Sequence, residues 1–231
     1  MAKRSTAATA EEFALDLCEH FLSTYPVLTG IDCEVSEIPW RRSVVDGSMH
    51  MHGFEHPGHE RHEVFVKMGR DEASAPVIKS IESSIREMTV LKTTQSGFEK
   101  YLKDDATLLP ECTDRCLSSH VDLWWRYVNP SDGRAIDFKK VRTAMRSEML
   151  RGIFGPAEEG VYSASLQATI YDAGCMCLTA VPEVQEIDIS TPNVHYLPVV
   201  APLAAVGEVF MNDIFQPTSD PSGSITCTVS R

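Results

Sequence analysis

The sequence predicts an α+β protein in two units, one partial and one complete. Residues 85–231 read in the order strand, strand, helix, helix, strand, strand, while residues 1–84 read as a single helix followed by strands. Runs of strands interleaved with a helix pair fit the α+β class. No short-period repeat or low-complexity segment interrupts the pattern.

Each element has its own justification. Thr9 or Ala10 opens a helix that runs to about Ser23, with Phe13, Leu17, Phe21 and Leu22 at helical spacing on one face, and Pro26 stops it. Ile31, Cys33 and Val35 then alternate with Asp32, Glu34 and Ser36, the period of a half-buried strand. Val45-Asp46-Gly47-Ser48 is a hairpin signal, and strands near Ser48–Glu55 and Glu60–Met68 follow. Asp71–Pro76 is expected to be a polar linker, after which Met88–Lys92 forms the first strand of the second unit. Val121, Leu123, Trp125 and Tyr127 alternate as a strand. Phe138, Val141, Met145 and Met149 fit a helix capped by Asp137, and Leu166, Ile170, Ala173, Cys177 and Leu178 fit a second. Val184–Ile189 and Ser224–Ser230 close the sheet.

Composition narrows the functions open to such a fold. A chain of 231 residues with 43% hydrophobic content can bury a core. Its net charge of −12 argues against a binder of phosphate backbones, which needs clustered Lys and Arg to displace counterions. No apolar run approaches the roughly 20 residues that cross a bilayer, and Met1-Ala2-Lys3-Arg4-Ser5-Thr6 lacks the apolar stretch of a secretory signal. A soluble intracellular protein is expected, with neither nucleic acid nor membrane as partner. Seven cysteines, an odd number, suit reduced thiols better than a disulfide framework.

Three short blocks carry chemistry: Lys92-Thr93-Thr94-Gln95-Ser96-Gly97-Phe98, Tyr162-Ser163-Ala164-Ser165-Leu166-Gln167-Ala168-Thr169 and Thr191-Pro192-Asn193-Val194-His195-Tyr196. They supply an aromatic face, a planar amide and an Asn-x-His pair whose side chains share one side of an extended segment. Read singly, each is ordinary. Phe98 would be a core ring, Arg115 a surface partner of Asp114 or Glu111, Gln167 a solvated first-turn amide, and Asn193 with His195 an edge-strand pair. Their joint occurrence in this order, with Arg115 in Thr113-Asp114-Arg115-Cys116, resembles the purine-binding and catalytic motifs of the urate oxidase family, from about Phe13 to the last residue.

That resemblance implies tandem tunnelling-fold modules with an antiparallel sheet and helices on one face, the first module truncated. It implies a cofactor-independent oxidation of urate by O2 to 5-hydroxyisourate and H2O2, with no metal or flavin, in a homotetramer whose sites lie between subunits. Phe98 would stack on the purine, Arg115 grip its edge bidentately, and Gln167 donate to and accept from it. Leu166 stands where relatives often carry Val and would contact urate through its main chain. Asn193 would hold dioxygen or water, and His195 would join a proton relay with a Lys and a Thr of a neighbouring subunit. The family's opening strand pair, which bears that Lys and a Thr-Asp step, has no counterpart in these residues. They are therefore expected to form half a pocket and to turn urate over poorly by themselves.

Such relatives are peroxisomal, although Thr228-Val229-Ser230-Arg231 is not a Ser-Lys-Leu-type address; otherwise the cytoplasm is expected. Two readings compete. One is a non-catalytic subunit that stacks a purine without oxidising it. The other is a zinc enzyme built on the histidines at positions 50, 52, 56, 59 and 62, with His50-x-His52 as chelating pair. Cys112-x3-Cys116 and Cys175-x-Cys177 lack zinc-finger spacing.

Overall fold

A computed structural model describes residues 1–218, 220 and 223–231. Its first helix, α1 (Ala10–Thr24), begins on a capping box in which Thr9 Oγ1 accepts from Glu12 N and the Glu12 carboxylate reaches back to Thr9 N. Pro26 disfavours the helical conformation at Tyr25, which caps the other end. Strands β1 (Gly30–Glu37), β2 (Arg41–Val45), β3 (Ser48–Glu55), β4 (Arg61–Arg70), β5 (Pro76–Lys92) and β6 (Leu117–Tyr127) follow. Then come α2 (Phe138–Phe154), α3 (Leu166–Ala180), β7 (Val184–Pro192), β8 (His195–Pro198), α4 (Val200–Ala205), β9 (Phe215–Thr218) and β10 (Ser224–Ser230). The β2–β3 turn has positive φ at Asp46 and Gly47, the geometry that makes Asp-Gly a hairpin turn.

β1, β4, β5, β6, β7 and β10 form one antiparallel six-stranded sheet in that order. α1 packs on β1, β4 and β5, and α3 packs on β7 and β10 with α2 beside it. The core lies between sheet and helices. Val64, Val66, Ile81, Leu123, Trp125 and Ile187 face it from the strands, and Leu15, Met145, Met149, Ile170 and Cys177 from the helices. The opposite face of the sheet is polar, with Glu82 accepting from Trp124 Nε1 and Arg126. All seven cysteines are free thiols.

Three expectations need correction, the third being that Met88–Lys92 is not a separate strand but the end of β5. The face of α1 that meets the sheet is Glu11, Ala14, Leu15, Cys18 and Leu22, while Phe21 is exposed and Phe13 and Leu17 are only half-buried. A close helix–sheet approach takes small side chains, and the larger rings sit on its flank. Asp71–Ala75 is not a linker but a tight turn, in which Asp71 Oδ1 accepts from Ala75 N, and β5 starts directly after it at Pro76. The division at residues 84/85 consequently falls inside β5, which pairs with β4 on one side and β6 on the other.

A bulge in β5 between Ile85 and Met88, with Glu87 at positive φ, explains why the strand is hard to see. The extra residue switches which parity faces the core. Ser83 and Ile85 point inward before the bulge, and Met88, Val90 and Lys92 after it.

A buried polar cluster ties α1 to this sheet. Glu11 Oε1 accepts from Ser83 Oγ at 2.8 Å and lies 2.9 Å from His62 Nε2, while His62 Nδ1 donates to Ser84 O at 2.7 Å. Burial pushes the Glu11 carboxyl up. The hydrogen bond and charge of His62, with the Ser83 hydroxyl, outweigh burial and hold it below its ordinary 4.5. A carboxyl depressed in the folded state stabilises above its unfolded pKa and loses that contribution as pH falls through the folded one. Glu11→Ala is therefore expected to cost about 3 to 5 kcal/mol in urea unfolding near neutral pH. The deficit should shrink as pH falls below 4.5; a deficit that stays constant with acidification would contradict this role.

Candidate active site

Residues 95–99 leave the end of β5 and pair with the loop before α3. Gly97 N donates to Ser163 O at 2.8 Å, Ser163 N to Gln95 O at 2.8 Å and Glu99 N to Ala164 O at 3.0 Å. On their other side, Phe98 N donates to Cys112 O at 2.6 Å and Arg115 N to Ser96 O at 2.9 Å. Three segments far apart in sequence are thus joined by main-chain bonds, which need no particular side chain except where space runs out. Gly97 is such a place: a Cβ there would run into Tyr162 Oη and stand 2.6 Å from Cys112 O.

α3 begins at this seam. Ser165 Oγ accepts from Ala168 N at 3.2 Å, Leu166 is buried, and Gln167 is exposed in the first turn. Across from it, Val194 N donates to Ser118 O at 3.1 Å, Asn193 bridges Ser119, and Ser119 Oγ donates to Pro192 O at 2.9 Å. These bonds fix the short stretch between β7 and β8 that carries the Asn-x-His pair.

One cavity of about 210 Å³ brings together Arg115, Leu166, Asn193 and His195, with Ser118 and Tyr196 also lining it. Arg115 dominates its electrostatics. The side chain is half-buried, its Nε has no hydrogen-bond partner, and desolvation pulls the guanidinium below its ordinary pKa. Neither expected carboxylate neutralises it: Glu111 pairs with Lys103 at 3.2 Å, and Asp114 Oδ2 accepts from Asn212. A half-buried cation left without an anion is costly, and Leu166 at the positive end of the α3 dipole lines the same space. Such an arrangement is suited to a small anion.

Phe98 and Gln167 stand outside the lining. The Phe98 ring lies 5.1 Å from the Arg115 guanidinium carbon and stacks on Tyr101, with centroids 4.6 Å apart. Gln167 projects beside Leu166. Larger cavities lie elsewhere, among them one of about 630 Å³ beside Arg151 and Tyr162 and one of about 400 Å³ between Glu37 and Arg146. The orphaned guanidinium, rather than volume, marks the site. Ser118 and Ser119 were not singled out from sequence. Two small hydroxyls in succession on a buried strand, Leu117-Ser118-Ser119, were the available signal.

The histidines divide. His50 and His52 sit on exposed β3, where His50 Nδ1 accepts from His52 N at 3.1 Å, whereas His62 is buried against Glu11. Among the described residues, no three His, Cys, Asp or Glu side chains converge to hold a metal ion.

A six-stranded antiparallel sheet with helices on one face, and a cationic cavity where strand ends meet a helix N-terminus, define a tunnelling-fold protein. The model of the Uricase family matches residues 81–226. The chain is 36% identical over 231 residues to the uricase of Oryctolagus cuniculus, covering all of this chain and 74% of that one. It is 35% identical over 229 residues to the uricase of Arabidopsis thaliana, covering 96% and 72%. The crystal structure of uricase from Arthrobacter globiformis superposes with a TM-score of 0.81 at 31% identity, over 99% of this chain and 72% of that one. The chain belongs to the uricase family.

Gly97→Ala tests the seam. It is expected to lower stability by about 1 to 3 kcal/mol, because the carbonyl of Cys112 is main chain and cannot swing aside. A thermal melt unchanged from the parent would show that the segments separate without cost.

Proposed function

We propose that the chain is a urate oxidase acting at the Arg115 cavity. Urate, O2 and water give 5-hydroxyisourate and H2O2: the purine loses two electrons, dioxygen gains them with two protons, and water supplies the new hydroxyl at C5. The electron-rich urate anion can reduce dioxygen directly once its proton is removed, so the protein's part is position and proton traffic. The observation that carries this reading is the unpaired Arg115 guanidinium in a cavity shared with Asn193 and His195.

In this reading Arg115 grips the oxygen-rich edge of the anion with two parallel N–H bonds, and Gln167 satisfies the amide-like edge. Phe98 supplies a stacking face, which requires Tyr101 to yield its place against that ring. Leu166 walls the cavity, Asn193 holds dioxygen or water, and His195 moves the proton. The base that works with His195 belongs, by the family resemblance, to the strand pair without a counterpart in residues 1–231, so these residues supply one half of a site completed between the subunits of a homotetramer. Val44, Met49 and Met51 on the β2–β3 hairpin are more than half exposed, which supports assembly.

Loss of urate absorbance with matching peroxide release, in the presence of a chelator, tests the activity. Purine binding without peroxide would identify a non-catalytic subunit instead, and turnover abolished by the chelator would indicate a metal enzyme. Arg115→Ala is expected to weaken urate binding by about 2 to 4 kcal/mol, as for truncating one partner of a buried charge pair. Binding unchanged by that substitution would remove Arg115 from the site.

A further inference from the structure

Lys92 opens the first of the three blocks, yet no step of the reaction uses it. It occupies a position where the strand places apolar side chains: after the β5 bulge, Met88, Val90 and Lys92 all point to the helix layer, and Lys92 is only 7% exposed. Its ammonium meets no carboxylate there. Nζ donates to Ile153 O at 3.1 Å, to Ser163 Oγ at 3.0 Å and to Val161 O. Three N–H donors thus find three acceptors, which satisfies the group completely.

The acceptors show what the cation joins. Ile153 belongs to the last turn of α2, whose terminal carbonyls have no partner within the helix and carry the negative end of its dipole. Val161 and Ser163 lie on the loop between α2 and α3. Ser163 is also the residue whose main chain bonds to Gln95 and Gly97 at the seam. From that seam the main chain leads to Phe98, to Arg115 through Ser96 O, and to α3 with Leu166 and Gln167. Burial disfavours the charged form of Lys92, and desolvation lowers its pKa. A neutral residue of similar length would avoid that cost, so the ammonium needs an explanation beyond filling space.

We propose that Lys92 is a positioning residue for the urate site, clamping the end of α2 to the 161–163 loop so that the seam holds Arg115, Phe98 and Gln167 in register. This rests on the reading of the Arg115 cavity as a purine-anion site. The clamp touches no substrate and acts only through Ser163 and the seam.

The test compares the parent protein with Lys92→Met, which keeps length and removes the donors, and Ser163→Ala, which removes one acceptor but leaves Ser163's main-chain bonds. Xanthine, a flat purine that lacks the 8-oxo group, serves as the binding probe, and urate as substrate. Lys92→Met, folded by circular dichroism, is expected to weaken xanthine binding about tenfold or more and to raise the KM for urate in proportion, with kcat little changed. Ser163→Ala should weaken binding about threefold with a smaller loss of melting temperature. A purely structural lysine would lower the melting temperature and leave both KM and xanthine affinity as in the parent; that result from folded Lys92→Met overturns the proposal. Should Lys92→Met not fold, Ser163→Ala decides, and xanthine affinity equal to the parent's overturns the proposal. A parent that neither binds xanthine nor consumes urate would instead sink the purine reading, and this inference with it.

Discussion

The main-chain seam between residues 95–99 and 163–164 is the constraint on which the site depends. Neither partner segment belongs to the sheet or to a helix, so neither has regular neighbours to fix it. Each is held because Gly97 N, Ser163 N and Glu99 N find carbonyls on the other, while Phe98 and Arg115 are held in turn by Cys112 O and Ser96 O. A missing side chain makes this possible, since any Cβ at Gly97 would force the strands of the seam apart. The end of β5, the loop at Arg115 and the start of α3 therefore form one rigid patch, although their sequence positions span more than seventy residues.

The second constraint is electrostatic. The chain carries a net −12 charge, and many of its arginines lie against carboxylates: Arg61 with Glu63 and Glu87, Arg142 with Glu37, Arg146 with Glu60. Arg115 is different, since its two candidate acids are engaged elsewhere and desolvation works against its charge. An anion entering its cavity meets a cation with donors unspent, at the N-terminal end of α3. An anion bound there would offset the cost of an unpaired, half-buried charge, a local exception to the strongly acidic character of the chain.

Much of this was legible in the sequence, for identifiable reasons. β6, α2 and α3 follow clean periods of 2 and 3.6 because each buries one face and exposes the other, and their caps at Asp137 and Ser165 are polar residues of the expected kind. The sequence shows five of the seventeen residues of β5, Met88–Lys92, because the bulge at Arg86–Glu87 breaks its alternation with two charged side chains. On α1 the eye goes to Phe13 and Phe21, but Ala14 and Cys18 are what fit against a sheet. Glu11 and His62 are fifty-one residues apart and nothing local announces their contact. At the site, the resemblance of the three blocks and Arg115 to the motifs of the urate oxidase family made them legible. That Arg115 would be unpaired, and that Tyr101 would lie against Phe98, depends on the path of residues 99–116, which has no period to read.

The central claim is that the Arg115 cavity, and not any of the larger ones, receives the purine. A crystal structure of the xanthine complex tests it most directly. The account expects the purine on the Phe98 ring, with Tyr101 displaced, the Arg115 guanidinium bonded to the oxygen-bearing edge, and Gln167 and Asn193 within hydrogen-bond reach. Xanthine lodged instead beside Arg151 and Tyr162, with Arg115 turned onto a protein carboxylate, would contradict it.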